Sequence, residues 1–95
     1  MALGFFLKLF NVKYSVYILH SATLDTYYVG CSGDVPGRLE KHLYNHKGFT
    51  GRAKDWELKY TEEFDLKVDA LKRELQIKKW KSRAMIEKLI KSDLY

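Results

Sequence analysis

The stretch YSVYILH, residues 14–20, followed by SATLD, residues 21–25, and TYYVG, residues 26–30, decides the fold. Tyr14 to His20 is dense in β-branched and aromatic side chains, which fit a pleated, half-buried surface, so it reads as a strand. Thr26 to Gly30 reads as a second strand on the same grounds. The loop of five residues between them makes an antiparallel hairpin. Pairing Tyr17 opposite Tyr28 centres the turn near Ala22 and Thr23 and puts both phenols on one sheet face.

Downstream, Asp34 is a helix cap, with Pro36 in the first turn, where its missing N–H costs little. Val35, Leu39 and Leu43 then form an apolar stripe, and the helix is expected to end near Asn45 or His46. Lys47 to Lys54 holds two glycines and reads as a loop. Trp56 to Phe64 alternates Trp56, Leu58 and Tyr60 with polar neighbours, as a half-buried strand does. A helix starting at Asp65 or Leu66 is expected to bury Val68, Leu71 and Leu75. Ser82 caps a last helix whose apolar residues are Met85, Ile86, Leu89 and Ile90. The order β-β-α-β-α-α predicts an α+β domain: a three-stranded, largely antiparallel sheet flanked by helices.

A chain of 95 residues is one domain, with room for one modest core. No linker, repeat or low-complexity tract divides it, so residues 14–92 read as the domain and 1–13 as an N-terminal extension. That extension, MALGFFLKLFNVK, is apolar but too short to span a membrane, and it lacks a secretory cleavage pattern. A flexible or packed extension, amphipathic in character, is the expectation. Cys31 is the single cysteine. It excludes an internal disulfide and a Cys/His zinc site, and it fits a reducing, cytoplasmic setting.

Lys and Arg outnumber Asp and Glu by 17 to 12, a balance that suits a polyanionic partner. The excess concentrates between Lys72 and Lys91, where eight basic residues are opposed only by Glu74 and Glu87. The hairpin brings Tyr17 and Tyr28 together. Arg38 and His42, four apart, share a helix face beside the buried stripe. Glu74 stands at the edge of the buried face of the second helix.

Ser15-Val16-Tyr17, then Tyr28-Val29-Gly30, resembles the GIY…YIG signature. Arg38, His42 and Glu74 follow in the family's order, and Ala70-Leu71-Lys72-Arg73-Glu74 resembles small stand-alone members of the GIY-YIG nuclease superfamily. The resemblance spans about Tyr14 to Ile90. It implies metal-assisted hydrolysis of a DNA phosphodiester with Tyr17, Tyr28, Arg38, His42 and Glu74 as catalytic residues and Gly30 as part of the structural motif. Glu74 would hold one divalent ion, Mg²⁺ or Mn²⁺. Arg38 would clamp the scissile phosphate, and Tyr17 would activate water with help from His42. Tyr28 would position water or phosphate.

With the site at Glu74, the expected phosphate contacts are Lys47, Arg52, Lys54, Lys72, Lys78, Lys79, Lys81 and Arg83. No zinc-finger or helix-turn-helix pattern is present, so the expected enzyme is structure-selective or weakly sequence-specific, in a setting such as DNA repair. Two departures stand out. Ser15 replaces the first glycine of the signature, and Ile86 stands where many members carry an asparagine. The second departure keeps open a non-catalytic nucleic-acid-binding module. A third reading, a protein-interaction or membrane-peripheral domain, rests on the apolar N-terminus alone.

Overall fold

Strand β1, Tyr14–Ser21, runs down the middle of a three-stranded antiparallel sheet of order β2-β1-β3, with β2 at Thr26–Ser32 and β3 at Trp56–Phe64. This is a computed structural model, and it describes residues 13–44 and 48–92. Helix α1 is Val35–Leu43, a 3₁₀ turn covers Phe49–Arg52, and helices α2, Lys67–Trp80, and α3, Arg83–Ser92, complete the chain. The expected α+β class and element order are both present. Residues 1–12 of the N-terminal extension lie outside the described residues, as do Asn45, His46 and Lys47.

The hairpin register differs from the expected one by two residues. Tyr17 pairs with Gly30, and Leu19 with Tyr28. The turn is therefore Ala22 to Asp25, closed by Ser21 opposite Thr26. Asp25 takes a left-handed φ of 48°, which a short polar side chain tolerates. Asp55 ties the turn down from the start of β3. It accepts from Ser21 Oγ at 2.6 Å and from Thr23 N and Thr23 Oγ1, each at 2.8 Å. Because side-chain period in a strand is two, the shift leaves Tyr17 and Tyr28 on the same face.

Those bonds, the one from Ser21 foremost, hold the Asp55 carboxyl down at about 2 from an ordinary value of 3.8. A depressed carboxyl stabilises the fold above its unfolded value, and that contribution is lost as pH falls through the folded value. Thermal melts should therefore show stability dropping as pH falls from 3.8 toward about 2, and Asp55→Asn should flatten that limb.

The two sheet faces carry separate cores. Val16, Ile18 and Val29 meet Ala70 and Ile77 of α2, with Trp80, Ile86, Leu89 and Ile90 around them. On the other face Tyr17, Leu19, Ala53 and Trp56 pack with Tyr28, Val35 and Leu39. β1 is thus buried on both sides, which is why its sequence runs apolar without strict alternation. A bulge between Ile18 and Leu19 pairs Ile18 with Tyr60 but Leu19 with Leu58. The extra residue turns Tyr60 to the α2 face while Trp56 stays on the Tyr17 face, so the alternation expected in this strand breaks.

Helix caps follow the sequence. The Asp34 side chain accepts from Gly37 N at 3.2 Å, and Ser82 Oγ accepts from Met85 N at 3.3 Å. α1 is shorter than expected, ending at Leu43, which is 38% exposed. The larger correction is α2. Val68, Leu71 and Leu75 are exposed, and the buried residues are Ala70 and Ile77. Ala70, Glu74 and Ile77 fall on one face at helical spacing, and the small Ala70 lets the helix lie close to the sheet. Ile77→Ala should cost about 2–5 kcal/mol, read as a fall in the urea midpoint.

Candidate active site

Tyr17 starts from the central strand and is 1% exposed. It lies opposite Gly30 on the edge strand β2. A Cβ at Gly30 would stand 2.9 Å from Tyr17 Cε1 and closer still to Cζ and Oη. The glycine therefore provides the space through which the phenol crosses β2 toward the free edge of the sheet. Gly30→Ala should displace the phenol, lower stability by about 1–3 kcal/mol, and reduce any reaction that uses Tyr17. A denaturation curve and an activity assay on the same sample check both.

His42 comes from α1 and is 5% exposed. Its Nε2 is 2.9 Å from Tyr17 Oη, and its Nδ1 is 2.7 Å from Thr50 Oγ1. Thr50 is set by the 3₁₀ turn, and its carbonyl accepts from Trp56 Nε1 at 2.7 Å. The Tyr28 ring lies 4.8 Å from the His42 ring and 6.3 Å from that of Tyr17. The buried Tyr17 phenol and His42 imidazole and the half-buried Tyr28 thus form one cluster on the α1 face. Thr50 and Trp56 escaped the sequence reading as members of it. Thr50 sits in a stretch read as loop, and no local pattern marks it.

Burial pushes the Tyr17 pKa up. The Arg38 guanidinium opposes this by hydrogen bonding and charge, while Tyr28 and the Glu74 carboxylate add to the rise. At neutral pH the phenol therefore keeps its proton. The protonated hydroxyl and Thr50 Oγ1 hold the two ring nitrogens of His42 from opposite sides. Arg38, on the exposed side of α1, is in turn held protonated by the Tyr17 hydroxyl. Among the described residues it makes no ion pair with a carboxylate, so its charge is available.

Glu74 approaches from the other side of the sheet, on α2. Its charge acts on Tyr17 and also on Cys31 of β2, whose thiol is pushed up by burial first and Glu74 second. Tyr17 thus arrives over Gly30 at β2, and the Glu74 charge reaches it there from the other face. The Glu74 side chain is only 15% exposed, and its Oε1 accepts from Lys78 Nζ at 2.6 Å.

Arg38 and His42 line a hollow of about 400 Å³ with Lys41 and Tyr44. Arg38 and Lys41 also border a second hollow of about 440 Å³ that includes Tyr14, Ser32 and Asp34. Glu74 lines neither of these hollows. Among the described residues no group of three or more His, Cys, Asp or Glu gathers in one place.

The other basic candidates are dispersed. Arg52 lies 5.6 Å over the Phe49 ring. Lys54, Lys72, Lys79 and Lys81 are exposed, with Lys81 at a left-handed φ of 48° after α2. Arg83 is occupied: it donates to Asp25 O at 2.8 Å and to Asp25 Oδ1 at 2.6 Å, and stands 5.4 Å over Tyr27. Ile86 packs in the core and brings no polar group to the site. No helix among the described residues is long and apolar enough to cross a membrane.

Comparison with protein families gives a match to the GIY-YIG catalytic domain over residues 13–89. Searches of curated proteins and of solved structures return no match.

Proposed function

The chain belongs to the GIY-YIG catalytic domain family, a nuclease family, and from that premise we propose that it is a divalent-metal-dependent DNA endonuclease. The observation that supports this is the Tyr17–His42 contact at 2.9 Å on the sheet, with the charges of Arg38 and Glu74 both acting on the Tyr17 phenol. A guanidinium that makes no carboxylate ion pair among the described residues suits a phosphate. A single carboxylate suits a hard cation whose remaining ligands are water and phosphate oxygens. Glu74 already holds one positive group, the Lys78 ammonium. Mg²⁺ or Mn²⁺, when bound there, supplies charge neutralisation at the phosphate and at the departing 3′ oxygen.

The chain's own residues account for the proton. Water gives a proton to Tyr17 Oη as Tyr17 passes its own to His42 Nε2. The resulting hydroxide attacks phosphorus, the bond to the 3′ oxygen breaks, that oxygen takes a proton from solvent water to leave as the 3′ hydroxyl, and His42 afterwards returns its proton to solvent. The imidazolium keeps its Nδ1–H on Thr50 Oγ1. Arg38 holds the phosphate as charge builds on its oxygens, and Tyr28 fixes the position of His42 and of the water. Lys41, Arg52 and Lys54 serve as phosphate contacts, giving weak sequence preference and strong salt dependence. A role in DNA repair or end processing follows by family analogy only.

The second reading is a non-catalytic DNA-binding module, favoured by the apolar packing of Ile86. Incubation with branched, nicked and single-stranded DNA in Mg²⁺ or Mn²⁺ separates the two. Cleavage that EDTA abolishes supports the nuclease. Binding without cleavage on every substrate supports the module.

A further inference from the structure

Helix α2 carries apolar side chains on two faces. Ala70 and Ile77 lie against the sheet, while Leu66 just before the helix, then Val68, Leu71 and Leu75, are 58%, 52%, 41% and 56% exposed. Val68, Leu71 and Leu75 follow helical spacing, so they form one stripe pointing away from the sheet. A continuous apolar stripe of this kind marks a surface that something covers. Two observations identify the cover. Lys13, where the described chain begins, is ion-paired with Asp65, next in sequence to Leu66 at the start of the stripe. Residues 1–12 contain nine apolar side chains, among them Phe5, Phe6, Leu7, Leu9 and Phe10, and a single charge, Lys8.

Reach is sufficient as well. Leu66 to Leu75 extends roughly 14 Å at the helical rise, and twelve residues cover that length in either helical or extended form. A second copy is a poorer occupant, because Lys72 and Lys79 share the sector of Val68 and a two-fold contact would bring them toward their own symmetry mates. We propose that the Leu66–Val68–Leu71–Leu75 stripe is the docking surface for residues 1–12 of the same chain. The segment then holds α2 from the side opposite the sheet and so supports the helix that carries Glu74.

The test places benzoylphenylalanine at Phe6 in the full-length protein, irradiates a dilute monomeric sample and maps the cross-links by mass spectrometry. The expected links are intramolecular, fall on the α2 peptide containing Leu71 and Leu75, and disappear in Leu71→Ser/Leu75→Ser. Trypsin should also cut after Lys8 several-fold faster in that double variant, whose circular dichroism confirms folding. Links between molecules, links outside α2, no links, or links that survive the double substitution overturn the proposal. So does binding to phosphatidylglycerol vesicles that the double substitution removes.

Discussion

If the proposed activity holds, Glu74→Gln should lower DNA cleavage on the order of a thousandfold and leave DNA affinity within a few-fold of the unaltered protein. The amide has the volume of the carboxylate and can still accept from Lys78 Nζ, as Glu74 does at 2.6 Å. The packing of α2 over Ala70 and Ile77 is untouched, so the melting temperature should barely move. What is removed is the negative charge that acts on Tyr17 and Cys31. Among the described residues no group of three or more His, Cys, Asp or Glu offers a hard cation an alternative site. Single-turnover cleavage and fluorescence anisotropy on the same DNA give the two numbers. Equal loss of binding and cleavage would mean that Glu74 acts through the fold.

Arg38→Ala should lower cleavage by about 10²–10³-fold, and Arg38→Lys should recover little of it. The guanidinium presents a planar fork to a phosphate, which an ammonium on a flexible stem does not reproduce. Arg38 also opposes the rise in the Tyr17 pKa that burial causes. Its removal lets that pKa climb further, so the alkaline side of the pH–rate profile should move to higher pH in Arg38→Ala. A profile that falls in height without moving would separate the clamp from the phenol. α1 is capped by Asp34 and packed through Val35 and Leu39, so neither variant should unfold.

Much of this arrangement was legible in the amino-acid sequence. The hairpin, the third strand, the caps at Asp34 and Ser82 and the order of elements rest on local signals, which report local geometry well. The pairing of Arg38 with His42 on α1 is a matter of helical spacing alone. What local signals could not supply is which face of α2 is buried. Val68, Leu71 and Leu75 form the more apolar stripe, yet the sheet takes Ala70 and Ile77. Close approach over β1 and β2 favours the small side chain, a tertiary effect with no trace in periodicity.

The hairpin register and the β3 bulge escaped for related reasons. Asp55 fixes the turn from across the sheet, and a turn that is tied down by a residue 34 positions away cannot be read from its own five residues. The bulge between Ile18 and Leu19 sends Trp56 and Tyr60 to different faces, although the sequence alternates as if they shared one. In the site, His42 and Tyr17 were legible as a pair through the family signature. Thr50, which holds the far side of the imidazole at 2.7 Å, was not, because its place depends on a 3₁₀ turn that two glycines obscure.

The most direct test is Mn²⁺ titration of the isotopically labelled protein followed by amide line broadening. Signals of Gly30, Cys31 and Glu74 should broaden first and in step, with those of α1 near Arg38 next, and Glu74→Gln should abolish the effect. Broadening that begins elsewhere, or that persists unchanged in Glu74→Gln, would contradict a cation site at the edge of β2.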